Sequence, residues 1–247
     1  MKTIDPKGKI ALVSGANRGI GKAITLELLN KGAAKVYAGA RNVETLSELV
    51  SLYGNRVVPV QLDVTDDRSI ERAADLIEAL DILVNNAGIF AIGGILSGAA
   101  LTSLKDNLDI NVWGLIKLSN AVYPQLAKSE NSAIINISSL AGLGNMPMAA
   151  TYSVSKAAVH SITQGMRAEL SDKNTLVMGV YPGPIDTEMA ANLEMDKDSP
   201  SNVAQAIVSG LINGTEDVFP DVMSQQAGNF YLSNPKAVEQ EFANFKA

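Results

Sequence analysis

The sequence predicts an α/β fold, a three-layer doubly wound sandwich in which a mainly seven-stranded parallel sheet lies between two layers of helices. Apolar runs rich in β-branched residues alternate with segments of helical period along the whole chain, the pattern of repeated β-then-α units. No Pro/Gly/Ser linker, internal repeat or low-complexity block interrupts the alternation, so residues 1–247 read as one domain. Strands are expected at 9–15 (KIALVSG), 35–40 (KVYAGA), 56–62 (RVVPVQL), 81–88 (DILVNNAG), 132–138 (SAIINIS) and 175–183 (TLVMGVYPG), with a weaker one at 216–220 (EDVFP). Helices are expected at 21–32, 43–54, 66–80, 150–173 and 199–214, with one long helix over 101–129. Two segments stand outside the alternation. Residues 90–102 are glycine-rich and read as a loop, and 184–201 form a long connection after a strand, where loops of open α/β sheets meet ligand. Pro235 opens a last helical stretch within an extension covering about 220–247.

Composition narrows the function classes. A net charge of −6 argues against a nucleic-acid surface, which needs a basic excess. The chain has no cysteine, which excludes disulfides, thiolate metal sites and cysteine nucleophiles. With one histidine, His160, a multi-histidine metal site is impossible and a Ser–His triad improbable; no metal site is expected. The first apolar run is too short for a signal peptide, and no run approaches the roughly 18 residues of a membrane span. The expectation is a cytoplasmic enzyme without a membrane partner.

After the first strand comes VSGANRGIG, with Gly15, Gly19 and Gly21 spaced G-x-x-x-G-x-G. Residues without Cβ permit positive φ and let backbone N–H groups approach a pyrophosphate at a helix N-terminus. At the end of the second strand an NAD-type site carries an acid for the ribose hydroxyls. Here Ala40 stands in that place, followed by Arg41, and Arg18 lies within the glycine turn. No acid repels a 2′-phosphate and two guanidinium groups suit one, which predicts NADP(H) over NAD(H).

The stretch ATYSVSKAAVH (150–160) sets Tyr152 and Lys156 four residues apart, on one helical face. Such a pair is either a solvated edge or an ammonium held near a phenol. The chain as a whole decides between them. SGANRGIG (14–21), LDV (62–64), NNAG (85–88), NVWG (111–114), INISS (135–139), YSVSK (152–156) and YPGPIDT (181–187) together resemble the short-chain dehydrogenase/reductase family of the classical type, in order and spacing over nearly the whole chain.

The resemblance implies a Rossmann-type fold and a role for each matching residue. Gly15, Gly19 and Gly21 would wrap the pyrophosphate, with Asn17, Arg18 and Ile20 of the same turn beside it. Asp63 would hold the adenine amino group, with Val64 against the ring. Asn85 and Ala87 would stabilise the central strand and line the cofactor channel, with Gly88 following. Ser139 would be the catalytic serine, Tyr152 the acid/base, Lys156 its partner and Asn111 a water-holding fourth member. Ile185 and Thr187 would secure the nicotinamide carboxamide, with Pro182 and Gly183 of the same loop also binding the cofactor. The sequence departs from the family pattern in Ser14 for the usual threonine, in a short 66–80 segment, and in EDVFPDVMSQQAG where the family commonly ends its last strand V-D-G-G.

These residues suit hydride chemistry, the nicotinamide supplying the hydride and a side chain the proton. A free phenol with a pKa near 10 is a poor shuttle at neutral pH, so Lys156 is expected to draw Tyr152 toward working pH. Ser139 is expected to donate to the carbonyl oxygen as charge develops. His160 is expected to be packed or solvated, and Trp113 to pack at a helix or subunit interface. Met146, Met148, Met189 and Met195 flank the expected pocket and hint at an apolar substrate.

The activity these features imply is carbonyl reduction, reversibly alcohol dehydrogenation, on a small or medium apolar ketone, aldehyde or secondary alcohol. A 3-oxoacyl-thioester reductase is the alternative within the class; the single Lys against five acids in 184–201 counts against its anionic arm. A silent NADP(H)-sensing regulator is the alternative of another class. The family pairs through its two long helices, so a homo-oligomer, dimer or tetramer, is expected.

Overall fold

The computed structural model describes residues 2–245, so the last two residues of the 220–247 extension lie outside it. Strands β1 (Ile10–Ser14), β2 (Lys35–Ala40), β3 (Val57–Gln61), β4 (Ile82–Asn85), β5 (Ser132–Ile137), β6 (Thr175–Val180) and β7 (Asp217–Val218) form a parallel seven-stranded sheet in the order β3-β2-β1-β4-β5-β6-β7. This is the Rossmann-type arrangement expected. Each predicted strand is present, and most of their residues are buried, as parallel strands covered on both faces must be.

Alternate strand residues feed two helix layers. Val13, Val36, Val84, Ile135 and Met178 point to the layer of α1 (Gly19–Asn30), α2 (Ser47–Tyr53) and α7 (Pro200–Asn213), meeting Ile24, Leu28, Leu49, Val203 and Ile207. Leu12, Leu83, Ile134 and Val177 point the other way, toward Ile70 of α3 (Asp67–Leu76), Leu118 and Val122 of α5 (Leu115–Leu126) and Leu170 after α6 (Ala150–Glu169). Local chemistry sets the ends. Asp66 caps α3 by accepting from Arg68 N. Ser199 caps α7 ahead of Pro200 at its first turn, and Gly214 ends it in the left-handed conformation.

Three elements differ from expectation. The long helix over 101–129 is interrupted: α4 (Ala100–Leu108) passes through a π-helical turn (Asp109–Gly114) into α5. One wide turn of this kind re-aims side chains without ending the helix. The segment after β7 forms α8 (Val222–Ser233), which the apolar spacing had not indicated, before α9 (Pro235–Phe242). Its start is held by a reciprocal capping box between Asp221 and Ser224, and Gly228 lets it close onto the Phe219 ring. The third strand-like tail, 216–220, contributes only two residues to the sheet.

The chain runs outward through β2 and β3, then returns to β4 on the other side of β1. That reversal opens a crevice beyond the C-terminal ends of β1 and β4. Gly21, at the start of α1, sits behind it. A Cβ there would lie 2.2 Å from the Gly15 carbonyl oxygen and 2.4 Å from Asn86 Nδ2, so the glycine permits close helix–strand packing. Gly21→Ala is expected to cost about 2 kcal/mol by overpacking, a fall in melting temperature of roughly 5 °C in a thermal scan.

Candidate functional site

A cavity of about 520 Å³ fills the crevice. Its floor at one end is the turn after β1. Gly15 (φ +67°) and Gly19 (φ +53°) adopt the left-handed conformation that favours glycine, and both line the cavity with Asn17, Arg18 and Ile20. The turn is stapled from below. Ser14 Oγ donates to the Val84 carbonyl (3.2 Å) and accepts from Asn86 N and Ala87 N (3.0 Å each). Asn86 Nδ2 in turn donates to the Ser14 and Gly15 carbonyls, at 2.8 and 3.1 Å. The hydroxyl that serine shares with threonine is the part this staple uses.

Gly21 is not on the cavity wall, contrary to the expectation that it wraps a pyrophosphate; it is spent on the packing described above. Asn85 is likewise displaced from its expected place in the channel. Its side chain points into the helix layer, donating to Ser119 Oγ and Asn136 Oδ1 (2.9 Å each), because an alternating strand sends its neighbour Asn86 the other way. The strand-stabilising half of that expectation matches this geometry. Ala87 and Gly88 face the cavity.

Ala40, Arg41, Asp63, Val64 and Thr65 surround the opposite end of the glycine turn. Partial burial acts to raise the Asp63 carboxyl, but hydrogen bonds from the Thr65 hydroxyl and N–H, with the Arg41 charge, outweigh it and hold the group below its ordinary value. An ionised acceptor and an exposed guanidinium thus share this mouth. Arg18 lies across the cavity in an ion pair with Glu188.

The centre of the cavity holds the reactive side chains. Tyr152 and Lys156 come from α6, with the Lys156 ammonium 5.6 Å from the phenol ring centroid; Lys156 is buried and Tyr152 is partly buried against the cavity. Ser139, in the loop after β5, lines the cavity with the phenol; its hydroxyl donates to the Pro182 carbonyl (3.4 Å) and caps a short turn by accepting from Ala141 N (3.2 Å). Ser138 faces away, donating to the Lys156 carbonyl at 3.0 Å. Phe90 meets the Tyr152 ring edge-on at 4.8 Å.

Lys156 Nζ donates to the Ile137 carbonyl at 2.8 Å, and a Cβ on Gly88 would lie 3.8 Å from it. Asn111 sits in the π-helical turn behind. Its Oδ1 accepts from Ile89 N (2.8 Å), and its Nδ2 donates to the Ile89 carbonyl (3.1 Å) and Ser155 Oγ (2.9 Å). Both donors of that amide are therefore spent on joining the β4 loop to α6. Asn111 is off the cavity wall, and its side chain holds the β4 loop against α6 beside the pair.

The acidity of the pair also departs from expectation. Burial pushes the Tyr152 phenol up to about 12, opposed by the neighbouring Ser139 hydroxyl, and pushes Lys156 down to about 8. Each charged form is penalised by the apolar surroundings, and the ammonium is turned to a main-chain carbonyl. The phenol is a fully protonated acid at neutral pH.

The family model for short chain dehydrogenases matches residues 9–198. This chain belongs to that family. It is 32% identical over 219 residues to an uncharacterised oxidoreductase of Staphylococcus saprophyticus, covering 84% of this chain and 93% of that one. A short chain dehydrogenase of Burkholderia cenocepacia, crystallised in complex with NADP, superposes with a TM-score of 0.90 at 34% identity, over 97% of this chain and 99% of that one. A short-chain dehydrogenase of Streptomyces avermitilis superposes with a TM-score of 0.85 at 25% identity, over 96% of each. The protein is thus an oxidoreductase acting on the CH–OH/C=O pair with a nicotinamide cofactor.

In this short-chain dehydrogenase the loop after β6 completes the cavity. Pro182, Gly183, Ile185 and Thr187 line it. The base of the 184–201 connection is pinned by main-chain bonds from Asp186 N to the Asp198 carbonyl (2.8 Å) and from Asp198 N to the Pro184 carbonyl (3.0 Å). Met146, Met148, Met189 and Met195 reach the wall as expected, joined by Met223 and Phe245 from the C-terminal extension. Asp221 was missed by sequence reasoning. Buried at the head of α8, its carboxylate accepts from Ser224 N (2.9 Å) and from Gly183 N (2.8 Å), so one side chain caps a helix and anchors the loop. The spacing of Asp221 and Ser224 was the available signal. His160 lies outside the cavity, bonded to Tyr181 Oη at 2.7 Å, and burial lowers its pKa. Trp113 is half-exposed on the π-helical turn.

Lys156 gives a measurable pH dependence of stability. Below pH 8 the ammonium is charged whether the chain is folded or unfolded, and its burial cost is carried in full. From about 8 to 10.5 the folded chain sheds a proton that the unfolded chain keeps, so the fold gains stability as pH rises. The unfolding free energy of the parent minus that of Lys156→Met is expected to rise by on the order of 2 kcal/mol between pH 7 and pH 10 in urea titrations.

Proposed function

We propose that the protein is an NADPH-dependent carbonyl reductase, working reversibly as an alcohol dehydrogenase on small or medium apolar ketones, aldehydes or secondary alcohols. One observation carries the reading: Ser139, Tyr152 and Lys156 meet in a single cavity whose far wall is made of Met and Phe side chains. The residues at the other end fit a dinucleotide. Gly15 and Gly19 leave a cradle that side chains would fill, since a Cβ on Gly19 would stand 3.1 Å from Thr187 Cγ2 and one on Gly15 3.0 Å from Asn86 Nδ2. The main-chain N–H groups at the start of α1 would face the pyrophosphate, Asp63 the adenine amino group, and Arg41 the 2′-phosphate.

When bound, the nicotinamide supplies and accepts the hydride. Tyr152 gives its proton to the carbonyl oxygen during reduction, a role that a phenol protonated at neutral pH performs without prior titration. Ser139 donates a hydrogen bond to the same oxygen as charge grows on it. Lys156, when charged, favours the phenolate left behind and is placed to donate to the cofactor's ribose. Among the described residues the Met and Phe side chains of this wall carry no charge, and Glu188, beside Met189, is paired with Arg18, which favours an uncharged apolar substrate over an acyl thioester with an anionic arm. The exposed Trp113 and Val154 fit pairing of two copies through the long helices.

Two measurements test the reading. NADPH consumption with a panel of ketones should be seen in the parent, and Tyr152→Phe should lower kcat by about a hundredfold or more while cofactor affinity stays unchanged. Saturable cofactor binding without turnover of any carbonyl would instead support a silent sensor. Arg41→Ala should weaken NADPH binding by about tenfold to a hundredfold and leave NADH binding nearly as it was, read by fluorescence titration.

A further inference from the structure

We infer that the C-terminal segment, through Phe245, forms a fixed end wall of the substrate pocket and sets the length of the apolar arm that the enzyme accepts. This rests on the carbonyl-reductase reading and gives its substrate class a shape: an uncharged ketone with an apolar arm of limited length.

The family match ends at residue 198, yet Met223 and Phe245 line the same cavity as Met146 and Met148. The wall is built by packing onto the segment that leads into the reactive helix α6. The Phe245 carbonyl accepts from Met148 N at 3.0 Å. Its ring meets Phe242 edge-on, with centroids 5.9 Å apart, and Phe242 is buried. Phe242 and Val238 dock on Gly144, where a Cβ would come within 2.9 Å of both side chains, so α9 rests directly on main chain. Met146 N in turn donates to Ser153 Oγ at 3.1 Å, next to Tyr152. Phe245 is thereby held in register with the phenol, and its distance from the reacting carbon is set by the fold. Among the described residues, the rings and thioethers at this end carry no formal charge and favour an apolar arm.

A substrate whose carbonyl lies between Ser139 and Tyr152 extends its longer arm toward this wall. Removing the Phe245 ring opens space there and removes contacts that a shorter arm uses. The test compares parent, Phe245→Ala, Phe245→Leu and a chain ending at Asn244 on the 2-alkanones from 2-butanone to 2-dodecanone. Phe245→Ala is expected to move the best substrate up by about two carbons, raising kcat/KM for the longest ketones about tenfold and lowering it for the short ones, with Phe245→Leu between. An equal change at every length overturns the wall, as it would mark a merely structural role. Binding of an uncharged naphthyl ketone fluorophore to the cofactor-free protein reads the same wall without turnover. Phe245→Ala and Met223→Ala are each expected to shift its Kd about fivefold or more, and identical Kd values overturn the inference. Variants that bind the fluorophore differently in a protein that reduces no ketone refute the carbonyl-reductase reading and leave the wall standing.

Discussion

The site depends on the staple where the sheet reverses direction. The Ser14 hydroxyl at the end of β1 accepts from the N–H groups of Asn86 and Ala87 after β4, and the Asn86 amide donates to the Ser14 and Gly15 carbonyls, four hydrogen bonds of about 3 Å. A doubly wound sheet must open a crevice at this point, and without a tie the two loops that border it would be independent of one another. With the tie, the glycine turn is held with Gly15 and Gly19 in their left-handed conformations, and the β4 loop is held with Gly88 against the Lys156 ammonium. The two ends of the cavity then share one frame. Asn111 extends that frame to α6 by bonding Ile89 and Ser155 at once.

Electrostatics inside the frame follow from burial. A phenol and an ammonium removed from water both lean toward their neutral forms, which is the direction seen for Tyr152 and Lys156. The outcome suits proton donation: the acid is loaded at neutral pH, and the Ser139 hydroxyl shares its cavity as a second donor. Phenolate formation requires added positive charge nearby, so the two directions of the reaction place different demands on the same pair.

The C-terminal extension is attached by polar and apolar means together. Asp221 ties α8 to Gly183 in the loop after β6, while Phe242 and Val238 bury themselves against Gly144. Loops on both sides of the cavity are therefore braced by chain that follows the last strand. A buried carboxylate with two N–H partners, Gly183 at 2.8 Å and Ser224 at 2.9 Å, is well satisfied and fixes the register of the helix it starts.

Local pattern was enough to read the strands and most helices, since alternating apolar blocks leave a parallel sheet little freedom of order, and β2 runs over the very residues expected. It was also enough to bring Ser139, Tyr152 and Lys156 forward as a group, because their spacing and types sit in motifs that occur in sequence. Other features had no local signature. Asn85 and Asn86 are identical in type, and only the pleat decides which faces the cavity. Gly21 looks like its neighbours Gly15 and Gly19 until the carbonyl 2.2 Å from its absent Cβ is seen. The helix at 222–233 carries a glycine and weak periodicity, and takes its stability from a buried cap and an aromatic ring across the chain. The acidity of Tyr152 was read from its neighbour four residues away, whereas it is decided by the dielectric of everything packed around it. Sequence by itself determined the order of elements and the chemistry available to them. Tertiary structure decided which groups face the cavity and how strongly water is excluded there, because burial is a property of the whole packed chain and of no single segment.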